Sequence, residues 1–174
     1  MSSPASLPRA GERRAVPATR HTDYAGAVYG SMLAASVVAT AGSVGGYPRL
    51  QLSVLMIVTG LVFWAAHVYA KLVGERPIGE GISWRETRQV CRHEWSIVEA
   101  AVLPTAAVLI SPVLGLDLAG TAWLALGVAV AQQVAWAFVG AVRAGAGRRQ
   151  ATFEALANLA LGLVIVAAKA ALGH

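Results

Sequence analysis

Long apolar stretches alternate with short polar or Gly/Pro-rich connections along this chain. The stretches run from about Tyr24 to Ser43, Leu50 to Leu72, Trp95 to Leu114, Leu118 to Val142 and Thr152 to Leu172. At 1.5 Å per helical residue, each is long enough to cross the ~30 Å hydrocarbon core of a bilayer. The pattern predicts an all-α transmembrane bundle of five spans over residues 24–172. Residues 1–23 precede it as a basic cytoplasmic tail. Met1 to Thr22 is rich in Ser, Pro, Ala and Arg without apolar periodicity, which predicts disorder. No stretch after Arg9, Arg13 and Arg14 has the form of a signal-peptide core with a cleavage site.

The connections carry their own signals. Gly42, Gly45, Gly46 and Pro48 mark a turn, and so does the run from Gly74 to Gly81 around Pro77. Ser83-Trp84-Arg85-Glu86 reads as a capping box opening a charged helical segment to Glu94. That segment is either a short interfacial helix or the extramembrane start of the third helix. Pro104, in the middle of the third span, removes a backbone donor and predicts a kink, which a bundle tolerates because neighbours re-satisfy the freed group. Glu154 is expected in the first turn of the last helix, where the helix dipole favours a carboxylate.

Charge fixes an expected orientation. Twelve of the 14 Lys and Arg residues fall in the tail, the second connection and the fourth connection; only Arg49 and Lys169 fall on the opposite side. The positive-inside rule then places the N-terminus in the cytoplasm and the C-terminus outside, in the cytoplasmic membrane. The net charge of +5 is thereby explained without nucleic acid as a partner. Only 13% of residues are charged and 56% are hydrophobic, about half the charge of a soluble domain. The single cysteine, Cys91, excludes an internal disulfide framework.

Candidate chemistry is sparse. His67, near the end of the second span, and Glu99, near the start of the third, lie at similar depth, within ~2 Å along the axis. Ionisable groups inside a membrane are costly and face a partner or a wet cavity. A His67–Glu99 pair therefore reads as a proton relay or cation site, or as a polar clasp between two helices; otherwise Glu99 is simply near enough to the headgroups to be hydrated. His93, Glu94, Gln132, Gln133, Glu154 and Asn158 are supporting polar residues. His93-Glu94 opens a zinc-protease helix motif, but Ile97 stands where the second histidine is required. No metal, cofactor or catalytic residue is therefore assigned. There is no phosphate-binding loop and no nucleophile arrangement. Gly26, Gly30 and Ala34 form a small-residue face that suits close packing within the bundle, or else a homo-oligomer or a membrane-protein partner.

The run from Thr59 to Tyr69 with Trp64, His67 and Tyr69, together with Glu94-Trp95 and Val98-Glu99, resembles small polytopic integral membrane proteins of actinobacterial type. That resemblance implies a membrane location and carries no activity, cofactor or catalytic residue. The expected role is a non-enzymatic membrane protein, structural or partner-regulating, embedded in the lipid bilayer. The alternative is a small proton- or cation-linked transporter or channel subunit using the His–Glu pair.

Overall fold

A computed structural model describes residues 23–44, 48–74 and 83–172. The predicted tail and most of the first two turns lie outside them. The described elements are α1 (Tyr24–Val44), α2 (Arg49–Gly74), α3 (Trp84–His93), α4 (Ser96–Ile110), α5 (Leu118–Arg143) and α6 (Arg148–Leu172). No strand occurs among the described residues. Among the described residues, five helical stretches are long and apolar enough to cross a membrane: α1, α2, α3 with α4, α5 and α6. The protein is an all-α bundle of the multi-pass membrane class. Below, the near end of the bundle is the one where α1 begins.

α1 is the hub, packing against α2, α4, α5 and α6, while α2, α4, α5 and α6 follow one another around it. Its sequence explains the position. Gly26, Ala27, Gly30, Ser31, Ala34, Ala35 and Val38 are all buried, and side chains this small let neighbouring backbones come close. Half of its membrane window is buried, against 17% for the peripheral α6. Among its described side chains, only the stripe Ala25, Tyr29, Ser36 and Thr40 stays exposed, beside α2. The Ser36 and Thr40 hydroxyls donate to the carbonyls of Met32 and Ser36 within the helix, so their exposure to lipid leaves no donor unmet. The core proper gathers Ala35, Val38, Leu52, Met56, Val108, Ala125, Leu126 and Ala129.

The Gly26–Gly30–Ala34 face is filled within the chain. A Cβ at Gly30 would lie 2.6 Å from the Ile97 carbonyl oxygen and 2.8 Å from Ala100 Cβ. The backbones of α1 and α4 therefore touch, and glycine is required there for space.

α3 and α4 settle the open question about the third span. α4 alone has 15 residues, about 22 Å, too short to cross. α3 runs into it through Glu94 and Trp95, both in right-handed helical conformation. The ladder shifts register at this junction. Ile97 N–H donates to Glu94 O and Val98 N–H to Trp95 O, bonds spanning three residues that tighten the turn. α3 is thus the projecting start of the third helical stretch. Ser83 caps it by accepting the Glu86 N–H, and none of its residues is buried.

Two prolines shape the rest of that stretch. Pro104 has no N–H for the Ala100 carbonyl, and Gln132 of α5 supplies one from Nε2 at 3.1 Å. The same amide lies 3.3 Å from Ser31 Oγ of α1. Pro112 likewise offers no donor to the Val108 carbonyl, which accepts the Ser111 hydroxyl at 2.7 Å. The helix ends at Ile110, four residues before the expected Leu114, and Gly115 turns the chain at φ +68°. α6 starts four residues earlier than expected, at Arg148. This puts Glu154 in the second turn, beyond the free N–H groups, and the dipole argument for it does not apply.

Gly30→Ala is expected to lower stability by about 1–3 kcal/mol through overpacking, while Gly127→Ala, with open space around it, is expected to be neutral or slightly stabilising. Denaturant titration in micelles measures both, and equal effects would show that the α1–α4 contact is not tight. Gln132→Leu should cost about 1–3 kcal/mol in wild type and clearly less in a Pro104→Ala background, where the Ala100 carbonyl regains a backbone donor. A double-mutant cycle with no coupling would refute the link.

Candidate functional site at the near end of the bundle

The polar residues singled out in the sequence fall into separate places. His67 and Glu99 are both exposed on the bundle surface, and no hydrogen bond or ion pair joins them among the described residues. His67 instead lies against Tyr29, with ring centroids 5.6 Å apart. Gln132 serves the α1–α4–α5 contact. Gln133, its neighbour, points to a different interface because consecutive helical residues are turned by about 100°. Its Nε2 donates to the Asn158 carbonyl at 2.9 Å and approaches Asn158 Oδ1 at 3.4 Å, tying α6 to α5. Asn158 Nδ2 donates back to Glu154 O, and the Glu154 carboxylate accepts Gln150 Nε2 at 3.1 Å.

The concentrated chemistry lies at the junction of α3 and α4. Glu94 is only 1% exposed, and burial of a carboxylate is costly unless a cation meets it. Lys71, in the last turn of α2, places Nζ 2.5 Å from Glu94 Oε1. Helical geometry explains why this glutamate points inward. It stands one turn after Val90 and one turn before the buried Val98, on the side that faces the bundle.

Three further residues complete the group. The ligating atoms of Asp23, His93 and Glu94 all lie within 4.8 Å of one another. Ser96, 6% exposed, has an Oγ without a hydrogen-bond partner among the described residues. A Cβ at Gly26 would lie 2.5 Å from Asp23 Oδ2 and 2.6 Å from Ser96 Oγ, so both oxygens border the space that glycine leaves. The start of α1, the end of α2 and the α3–α4 junction thus converge on one polar cluster.

Aromatic residues brace the junction. Trp64 of α2 donates its indole N–H to the Cys91 carbonyl at 3.0 Å, where the helical ladder changes register. Its ring meets Trp95 edge-on at 5.4 Å. At the same end, Tyr24 lies tilted against Trp136 and receives the Arg143 guanidinium over its ring.

A second clasp holds the far end. The Arg49 guanidinium donates to Ser111 Oγ at 3.0 Å, to Thr121 Oγ1 at 3.3 Å and to the Leu116 carbonyl. Arg49 joins the start of α2 to the end of α4 and the start of α5. Sequence reasoning missed both clasps. Lys71 entered only in the charge count of the second connection, and Arg49 only as one of two charges on the opposite side. The available signal was the period of Val90, Glu94 and Val98, which sets a carboxylate among inward-facing residues.

The class these features define is a five-span helical membrane protein with polar clasps at both ends. No family model matches the chain, and no curated protein or solved structure matches it either.

The two partners of the near-end pair are expected to respond unequally. Lys71→Met leaves the Glu94 charge buried and should cost about 3 kcal/mol. Glu94→Gln removes that charge and frees the half-exposed Lys71 to turn outward, so its cost should be smaller. Unfolding in mixed micelles measures the difference, and equal costs would mean that the charge is not confined.

Proposed function

We propose that this protein is a non-enzymatic, partner-regulating component of the cytoplasmic membrane, whose bundle holds α3 in a fixed attitude at the membrane surface. The observation that carries this reading is the build of α3. Arg85, Arg88 and Arg92 occupy one exposed arc of the helix, and no ion pair to them occurs among the described residues. Trp84, 81% exposed, lies beside that arc. Arg and Trp are the residue types that most often anchor protein contacts. The opposite side of α3 is fixed to the bundle through Trp64, Trp95 and the Lys71–Glu94 pair. The positive-inside pattern would set this arc in the cytoplasm. Contact with a second copy or with another membrane protein through the spans stays part of the proposal. Since the Gly26–Gly30–Ala34 face is occupied by α4, that contact would use a different surface of the chain. The likeness to small actinobacterial membrane proteins agrees with this reading and assigns no reaction.

Proton- or cation-linked transport is the second reading, favoured by buried polar atoms without partners at several depths of the third span and its neighbours. Ser96 Oγ, Gln132 Oε1 and Thr105 Oγ1 are among them, and such atoms in a native interior call for internal water. The groove of about 400 Å³ between α1 and α2 is mainly apolar, with the hydroxyls of Ser36, Thr40 and Thr59 among its lining, and it holds no ionisable side chain.

Vesicles reconstituted with the full chain should show proton and potassium fluxes equal to those of empty vesicles. Flux that disappears in Glu94→Gln would replace the first reading with the second. A photo-cross-linking residue at Gln89 should give a discrete protein adduct in cells, lost on Arg85, Arg88 and Arg92→Glu. Absence of any adduct would rule out a protein partner at α3.

A further inference from the structure

We infer that Asp23, His93 and Glu94 form a binding site for a divalent transition-metal cation, with the Lys71 ammonium as the counter-ion that the metal displaces. This goes beyond the proposed function and does not depend on it.

The donor set is mixed. Two carboxylates and one imidazole suit Zn²⁺ or Mn²⁺ better than Ca²⁺, which takes six to eight oxygens, or Cu⁺, which prefers sulfur. Ligand atoms around a tetrahedral Zn²⁺ stand roughly 3.3 Å apart. The present spread of 4.8 Å therefore needs a contraction of about 1.5 Å. Asp23 is half-buried and His93 exposed, so both side chains have room to rotate; Glu94 is held in place and sets the position of the ion.

An independent observation points the same way. Ser96 Oγ is buried, has no partner among the described residues and borders the same space as Asp23 Oδ2. A hydroxyl in that state is expected where a cation, or water bound to one, supplies the missing contact. Gly26 keeps that space clear, since any Cβ there would collide with both oxygens. Lys71 fits as a tethered cation. Its ammonium compensates the buried Glu94, and the 35% exposure of the side chain gives it an outward route when a doubly charged ion arrives. A bound ion would tie the start of α1 to the root of α3, which packs against α2.

The test is Zn²⁺ and Mn²⁺ titration of the full-length protein in micelles, read by calorimetry and by the thermal unfolding midpoint. At least one metal should bind at one ion per chain and raise the midpoint. Asp23→Asn and His93→Ala, which leave Glu94 and Lys71 intact, should each weaken binding by about tenfold or more without changing the metal-free midpoint. Lys71→Met should tighten binding by about tenfold, because the competing ammonium is gone. A purely structural role for the cluster predicts no midpoint shift with either metal. That result, binding unchanged in both Asp23→Asn and His93→Ala, or binding not tightened in Lys71→Met would each overturn the inference.

Discussion

Helices in lipid gain little by hiding apolar surface from one another, since the lipid tails are equally apolar. What holds them is close contact and the satisfaction of polar groups. In this bundle both demands meet on α1. Its glycines and alanines let α4 come within backbone contact at Gly30, and they leave space for α5, α6 and α2 around the same axis. A bulky residue at Gly30 would push α4 outward. That movement would carry with it the Ala100 carbonyl that Gln132 meets and the Glu94 carboxylate that Lys71 meets.

The third span shows how a sequence that breaks helix rules survives in a membrane. Pro104 and Pro112 each leave a carbonyl without its usual donor. In the first case the donor comes from another helix, Gln132; in the second it comes from the adjacent side chain, Ser111. Gln132 is accordingly part of the backbone bonding of α4, although it belongs to α5. Its neighbour Gln133 does similar work toward α6. Two adjacent amides thus hold two different interfaces, a consequence of the helical turn between consecutive residues.

Both ends of the bundle are closed by charge. At the far end Arg49 gathers α2, α4 and α5. At the near end Lys71 and Glu94 join α2 to the α3–α4 junction, with Asp23, at the start of α1, close beside them. The near end differs in having more polar atoms than its visible bonds use, with Ser96 Oγ the clearest case. It is also where α3 departs from the bundle, so whatever occupies the cluster acts at the base of the most exposed charged element.

The membrane class, the five spans and the charge asymmetry followed from the sequence, because length and hydropathy are properties of single segments and require no knowledge of neighbours. That neighbours could re-satisfy the group freed by Pro104 was also legible, though not that Gln132 of α5 would do so. The candidate site was legible only in part: His93 and Glu94 stood out as polar residues, Asp23, Lys71 and Ser96 did not. Equal depth suggested His67 with Glu99, yet depth fixes only one coordinate; rotation about the helix axis fixes the other. Rotation turns both of those residues outward and Glu94 inward. It also brings Asp23 and His93, 70 residues apart, to one place beside Gly26. Such a meeting depends on how α1, α2 and α4 pack against one another, and that is decided by tertiary contact alone.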